Sequence, residues 1–232
     1  MIIWIDSYPR SGNTLYRMLL YHVAGIKTYS AHGDPLFEGP VGEATGHITL
    51  PFAPKALRVK GHAKVKALID SPETYMVKTH ARVKDLPFDA PVVYIVRDGR
   101  DTIVSFTHYQ LQEGWGKNGD DYARRLQRRV TKDSTWGPHV TEWLGRAKAI
   151  VRYEDMLSDP VGAVRASLDA LGLSVNVDSN ARIPTFEELQ GKSDWFFRRG
   201  QTGGYKDEMP EALQGIFWQR FGKAMEAAGY AR

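Results

Sequence analysis

The sequence predicts an α/β fold, a three-layer sandwich with a central, mostly parallel sheet flanked by helices. Two observations carry this. The runs Ile2 to Ile5 and Val92 to Val96 are apolar without alternation, as strands covered on both faces are. Strand-like runs also alternate along the chain with apolar residues at helical spacing, the order that yields parallel strands joined by crossover helices. A chain of 232 residues fits one domain, 1–232, large enough to bury such a sheet.

Taken in order, Ile2-Ile3-Trp4-Ile5 is the first strand, and Ser7-Tyr8-Pro9-Arg10-Ser11-Gly12-Asn13-Thr14 breaks its pattern. Leu15, Met18 and Leu19 then open a helix that runs to about Val23. Gly25 to Gly61 is rich in Gly, Pro and His and reads as an irregular connection and lid, in which Phe37, Leu50, Phe52 and Leu57 either line a pocket or tuck the loop onto the core. Val65 to Ile69 belongs to a short helix. Glu73 to His80 is a strand with Lys78 and His80 at its carboxyl end, the edge where open α/β sheets bind ligands. Pro91 to Val96 is a central parallel strand that ends at Arg97-Asp98-Gly99-Arg100-Asp101, and a helix begins at Thr102.

Tyr122, Leu126 and Val130 predict one amphipathic helix within Glu113 to Asp133. A short helix follows at Trp143-Leu144, then a strand at Ala149 to Tyr153, then a helix that Asp159-Pro160 opens and Gly172 stops. Phe186 to Leu189 is a helical turn and Asp194 to Tyr205 a loop. From Pro210 an amphipathic helix presents Leu213, Phe217, Phe221 and Met225.

Composition narrows the chemistry. The formal net charge of +4 suits an anionic ligand, while Lys and Arg are interspersed with acids rather than gathered into a stripe, which argues against nucleic acid. Without Cys there is neither a disulfide framework nor a thiolate metal site, and no carboxylate cluster is arranged to hold a metal. No apolar run approaches the ~18 residues of a membrane span, so a soluble, cytoplasmic protein is expected.

The loop after the first strand combines a cation, a Gly able to take positive φ, small hydroxyl residues and a helix N-terminus, a set that suits phosphate or sulfate oxygens. A strand, an N-cap and a helix start would also select Ser, Gly, Asn and Thr. The loop lacks the first Gly and the Lys of the Gly-x-x-x-x-Gly-Lys-Ser/Thr nucleotide loop, which disfavours a nucleotide-dependent kinase. Instead Tyr8-Pro9-Arg10-Ser11-Gly12-Asn13-Thr14 resembles the Tyr-Pro-Lys-Ser-Gly-Thr-Thr loop of the sulfotransferases that use 3′-phosphoadenosine 5′-phosphosulfate (PAPS).

Segments far from that loop resemble the same family, in family order. Arg97 to Ser105 is similar to its 3′-phosphate segment, which implies that Arg97 and Ser105 hold that phosphate, Ser105 from the first turn of its helix. Read alone, Arg97 would pair with Asp98 or Asp101. Phe197 to Lys206 resembles the family's Arg-Lys-Gly-x-x-Gly-Asp-Trp-Lys loop, with Gly204 and Tyr205 in place of Asp and Trp, and implies a nucleotide-covering role for Arg198, Arg199 and Gly200. Two adjacent Arg residues also suit a solvated surface.

Tyr153, in Arg152-Tyr153-Glu154-Asp155-Met156, and Phe186 correspond to residues on the family's adenine side, while Leu15 stands where an aromatic is common. Lys78-Thr79-His80 matches the family's Lys-Thr-His, whose His is the general base. The other six of the seven His residues have no comparable setting.

The resemblance implies a P-loop-like fold and in-line sulfuryl transfer from PAPS to a hydroxyl or amine of a small-molecule or glycan acceptor. His80, Lys78 and Arg10 would be catalytic; Arg10, Ser11, Gly12, Asn13 and Thr14 would bind the nucleotide, and adenosine 3′,5′-bisphosphate would be the product. The alternatives are the kinase and a non-catalytic nucleotide-binding module, against which a base beside the transferring group argues. Trp115, Trp136 and Trp195 are candidates to stack an acceptor ring.

Overall fold

The computed structural model describes residues 1–32, 38–50, 63–86, 88–115, 121–194 and 196–232. Within them five strands form one parallel sheet: β1 (Ile2–Ser7), β2 (Thr28–Ser30), β3 (Tyr75–Thr79), β4 (Val92–Val96) and β5 (Ala149–Arg152), in the order β2-β3-β1-β4-β5. β1 and β4 are buried along their whole length, which is why neither alternates. The register sets Ile5 beside Lys78 on one side and Val93 on the other. The carboxyl ends of β3, β1 and β4 therefore lie side by side, and the residues that follow them share one edge.

Side chains alternate between two cores. Ile3, Ile5, Met76, Val93 and Ile95 face α1 (Asn13–Ala24) and α8 (Pro160–Ala170), packing on Leu19, Leu20, Val164 and Leu168. Trp4, Val77, Tyr94 and Val96 face the other way, toward Ile103 of α4 (Gly99–Gln112), Trp136 and Trp143 of α6 (Trp136–Leu144), and Phe217 and Phe221 of α11 (Glu211–Ala227). This is the three-layer sandwich the sequence predicts. Met225 and Phe217 are buried and Leu213 is half-buried on α11, as its spacing requires.

Several elements differ from their sequence-based bounds. The stretch read as irregular holds β2 and α2 (Pro40–Ala44); β2 is three residues long, too short to show a period, and exists through its pairing with β3. Phe37, Phe52 and Leu57 lie outside the described residues, and Leu50 is buried in the core. α3 spans Ala63–Asp70. α4 starts at Gly99 rather than Thr102, because the Asp98 carboxylate accepts the Arg100 N–H at 2.8 Å and caps it.

The single helix expected within Glu113 to Asp133 is instead α5 (Tyr122–Arg128), capped by Asp121, running into a π-helical turn at Arg129–Asp133. Leu126 and Val130 are both buried, so the spacing was informative and the helix bounds were not. Short helices α7 (Tyr153–Ser158), α9 (Phe186–Lys192) and α10 (Tyr205–Glu208) complete the chain. No helix among the described residues is long and apolar enough to cross a membrane.

Candidate active site

At the carboxyl edge of the sheet a cavity of about 620 Å³ opens between the strand ends and residues 183–200. Its lining includes Arg10, Gly12, Asn13, Thr14, Lys78, His80, Arg97, Ser105, Tyr153, Phe186, Arg198, Arg199 and Gly200, brought together from the whole length of the chain. Ser11 alone of the expected site residues does not line it. Its side chain is buried beneath the loop, and its N–H donates to Tyr8 O at 3.2 Å.

The loop between β1 and α1 is shaped by two left-handed residues, Arg10 at φ 69° and Gly12 at φ 105°. A side chain at Gly12 would also meet Tyr153, 2.6 Å from an ideal Cβ, so glycine lets α1 begin against that ring. Asn13 ties the helix start to the sheet, donating from Nδ2 to Ile5 O at 3.1 Å. The first amides of α1 have no acceptor within the helix, and Gly12, Asn13 and Thr14 at its start line the cavity. Leu15 lines the same wall, so an aliphatic side chain stands where an aromatic was in question.

Arg10 crosses the cavity. Its Nη2 donates to Phe196 O at 2.7 Å, its Nε to Ser105 Oγ at 3.4 Å, and its guanidinium lies 4.4 Å from the Phe196 ring centre. Burial, and then the neighbouring Arg97, lower its pKa to about 10, so it remains a cation at neutral pH. Arg97 donates to Gln201 O at 2.9 Å and to Arg10 O at 3.4 Å, and stacks on Tyr153 at 4.3 Å. Asp101 Oδ2 is 3.9 Å away, while Asp98 is engaged by Arg100, so the simple pairing of Arg97 with an acid is only marginal. Because α4 begins early, Ser105 lies in its second turn, not its first.

His80 follows β3 directly. Its Nδ1 is 2.8 Å from Ser7 O and 3.3 Å from Ser7 Oγ. A carbonyl can only accept, so Nδ1 carries the proton and Nε2 keeps its lone pair. Burial, then the charge of Lys78, hold the imidazole well below its ordinary pKa, so the ring is neutral at physiological pH. Lys78 is itself buried in β3 and lines the same cavity. Contrary to the sequence reading, two other histidines share this setting: the His32 ring stacks on His80 with centres 6.3 Å apart, and His139 lies buried nearby.

The late loop is held by acids whose grip on it sequence reasoning missed. Asp101 on α4 accepts the N–H groups of Gly203 and Tyr205 at 2.7 and 2.8 Å. Burial raises its pKa against the opposing Arg97 and these amides. Glu208 takes Arg198 in a bidentate pair at 3.0 and 2.8 Å, Arg199 at 3.2 Å, and also His108. Gly200, at φ 60°, rests on Phe186 so closely that a Cβ would fall 2.2 Å from the ring. Phe186 opens α9 behind a Thr185–Glu188 capping box, which fixes where the ring stands.

Beyond Arg10 the cavity continues into an aromatic arm of Phe106, Tyr109, Trp115 and Phe196. Trp115 is 49% exposed, whereas Trp136 is fully buried against Phe217 and is no acceptor platform; Trp195 lies outside the described residues. Phe106 and Tyr109 sit one helical turn apart on α4, a spacing visible in the sequence but without a partner to interpret it.

A family model described as Sulfotransferase domain matches residues 2–229. Flavonol 3-sulfotransferase of Flaveria bidentis is 23% identical over 271 residues, covering 95% of this chain and 81% of that protein. Sulfotransferase 1A1 of Canis lupus familiaris is 25% identical over 260 residues, covering 97% and 83%. Among solved structures, mouse sulfotransferase SULT7A1 complexed with PAP aligns with a TM-score of 0.69 at 22% identity, covering 100% of this chain and 89% of that one. Retinol dehydratase in a complex with retinol and PAP aligns with a TM-score of 0.65 at 19% identity, covering 97% and 81%. The shared architecture is a P-loop-like α/β fold.

Proposed function

The chain belongs to the sulfotransferase domain family, and on that footing we propose that it moves a sulfuryl group from PAPS to a hydroxyl or amine of a small-molecule or glycan acceptor, with His80 as general base. One observation carries the reading: His80, its Nε2 lone pair left available by the Nδ1 contact to Ser7 O, lines the same cavity as Arg10, Lys78, Arg97 and Arg198. A binding module needs the cations but gains nothing from the base.

The residues of the cavity support this donor. Tyr153 and Phe186 supply flat faces, and each lies against a glycine that no side chain could replace without a shift. Arg97, with Ser105, Arg198, Arg199 and Gly200, is the set for the 3′-phosphate; Arg10 with Gly12, Asn13, Thr14 and the start of α1 is the set for the 5′ end. Ser11, buried under the loop, supports its shape.

In the reaction His80 takes the acceptor's proton at Nε2 as the new O–S (or N–S) bond forms, while the bond from sulfur to the bridging oxygen breaks and adenosine 3′,5′-bisphosphate leaves. Arg10 and Lys78 offset the charge that grows on the departing oxygen and on the sulfuryl oxygens. Residues of the chain thus supply position, a proton acceptor and fixed positive charge, the contributions that dominate such in-line transfers.

The deciding experiment is transfer of labelled sulfate from PAPS into a panel of phenols, alcohols, amines and glycans. Label appearing in an acceptor with wild type and not with His80→Ala supports the reading. Binding of adenosine 3′,5′-bisphosphate without transfer to any acceptor class would favour the module instead.

A further inference from the structure

Behind His80 lies a buried polar cluster that the proposed reaction does not use. Asp6, next to last in β1, is 0% exposed, and its Oδ2 accepts the Ala81 N–H at 3.0 Å. His139 of α6, 3% exposed, places Nε2 3.5 Å from Asp6 Oδ1 and beside the carbonyls of His80 and Ala81, but completes no hydrogen bond to any of them. Its Nδ1 pairs with the Tyr94 hydroxyl at 2.9 Å. Trp143 adds an N–H to Ala81 O at 3.0 Å. The backbone of residues 80–81 is therefore gripped from β1 and α6, while the His80 ring is gripped by Ser7, the residue after Asp6.

An acid on this face is costly. Its strand neighbours on the same side, Trp4, Val77 and Tyr94, build the core, and an apolar residue there would avoid the loss of hydration. What Asp6 holds is the turn that carries His80.

We propose that Asp6 and Trp143 are positioning residues for His80, keeping the 80–81 backbone where Nδ1–H stays on Ser7 O and Nε2 faces the acceptor. The inference rests on the reading of His80 as base. The charged and titratable groups around the cluster are Lys78 and His32 near His80, Tyr94 from β4, Tyr8 against the His139 ring, and the Arg82–Glu142 pair beside His139. Burial raises the Asp6 carboxyl well above its ordinary range, Glu142 adding to this and the Ala81 amide opposing it. Burial, then Arg82, lowers His139 to about 4.

The test is the tautomer of His80, read from its ring 15N shifts in the full chain, together with kcat and the affinity for adenosine 3′,5′-bisphosphate in the same preparations. Wild type should show the Nδ1–H form. Asp6→Ala should show a mixture, with kcat down about 10- to 100-fold, affinity within about twofold, and the acid limb of kcat moved to higher pH as the ring loosens. Asp6→Asn keeps an acceptor for the Ala81 N–H and should restore both tautomer and kcat. If Asp6→Ala does not fold, Trp143→Phe, which keeps an aromatic ring and removes the N–H on Ala81 O, should give the same mixture and loss. Unchanged tautomer and kcat in whichever variant folds, or Asp6→Asn no better than Asp6→Ala, overturns the proposal. Full turnover by His80→Ala would sink the base assignment instead, and the tautomer shifts would still report whether the grip exists.

Discussion

The cations of the site and its histidine stand on one sheet edge, yet they are held in different ways. Arg10, Arg97 and Arg198 each have an acceptor from the last fifth of the chain: Phe196 O, Gln201 O and the Glu208 carboxylate. His80 is fixed through Ser7 and Asp6 of β1 and Trp143 of α6, and no hydrogen bond among the described residues ties it to that late segment. A phosphate entering the cavity must share or replace the acceptors of the arginines, so its affinity is a difference between two sets of bonds. The geometry of His80 owes nothing to that exchange. Changes in residues 186–208 should therefore move nucleotide affinity and spare kcat, and changes under His80 should do the reverse.

The sharpest break in this contrast is His80→Ala. Loss of a general base costs about 10²- to 10⁴-fold in turnover, and calorimetry should find nucleotide binding nearly unaltered. Next comes Arg97→Ala, which on the proposed reading removes charge-assisted bonds to the 3′-phosphate. Affinity should fall about 10- to 100-fold, and the preference for a 3′-phosphorylated over an unphosphorylated nucleotide should disappear; an intact preference would show that Arg97 serves only the loop.

Gly200→Ala tests the late segment itself. The left-handed φ and the Phe186 contact together should weaken nucleotide binding by about 5- to 30-fold, the equivalent of about 1–2 kcal/mol of backbone strain. A matching loss of kcat at saturating nucleotide would erase the separation between the two regions. Glu208→Gln should act in the opposite sense and more weakly. With Arg198 and Arg199 released from a carboxylate, affinity should rise about two- to fivefold, most visibly at low salt.

A further effect is on stability against pH, and it belongs to the His80 side. An unfolded histidine near 6.5 binds protons that buried His139, lowered to about 4, refuses. Its contribution is therefore complete above 6.5 and is lost as pH falls toward 4, with a slope of at most about 1.4 kcal/mol per pH unit. Asp6 works against this, because its raised folded pKa lets the native state keep a proton that the unfolded chain releases, and that contribution falls as pH rises above 3.8. Urea unfolding at about pH 5 and about pH 7 should show a steeper rise with pH for Asp6→Asn than for wild type.

What the sequence revealed follows the same division. Continuous apolar runs place β1 and β4, and motifs that are contiguous in the chain bring out Arg10, Lys78, His80, Arg97, Arg198 and Gly200, all of which line the cavity. Features that depend on distant partners were not readable. β2 has three residues and no period of its own. Asp101 looked like a partner for Arg97 until the amides of Gly203 and Tyr205 were found on it, and Glu208 gave no sign that it would gather Arg198, Arg199 and His108. His139 appeared bland because its neighbours, Asp6 and Tyr94, lie on other strands. Ser11 is expected in the cavity on motif grounds but is buried outside its lining, between two left-handed residues, Arg10 and Gly12, a backbone geometry that the motif does not spell out.

The double hold of Asp101 on the Gly203 and Tyr205 amides makes α4 a common chassis. The same helix carries Ser105, Phe106 and Tyr109 into the cavity lining, and it moors the segment at Gly203 and Tyr205, proposed above to cover the nucleotide. Redesigning that helix to admit a bulkier acceptor would thus slacken the grip on the donor as well, so selectivity and donor affinity in this chain are expected to be traded against each other rather than tuned apart.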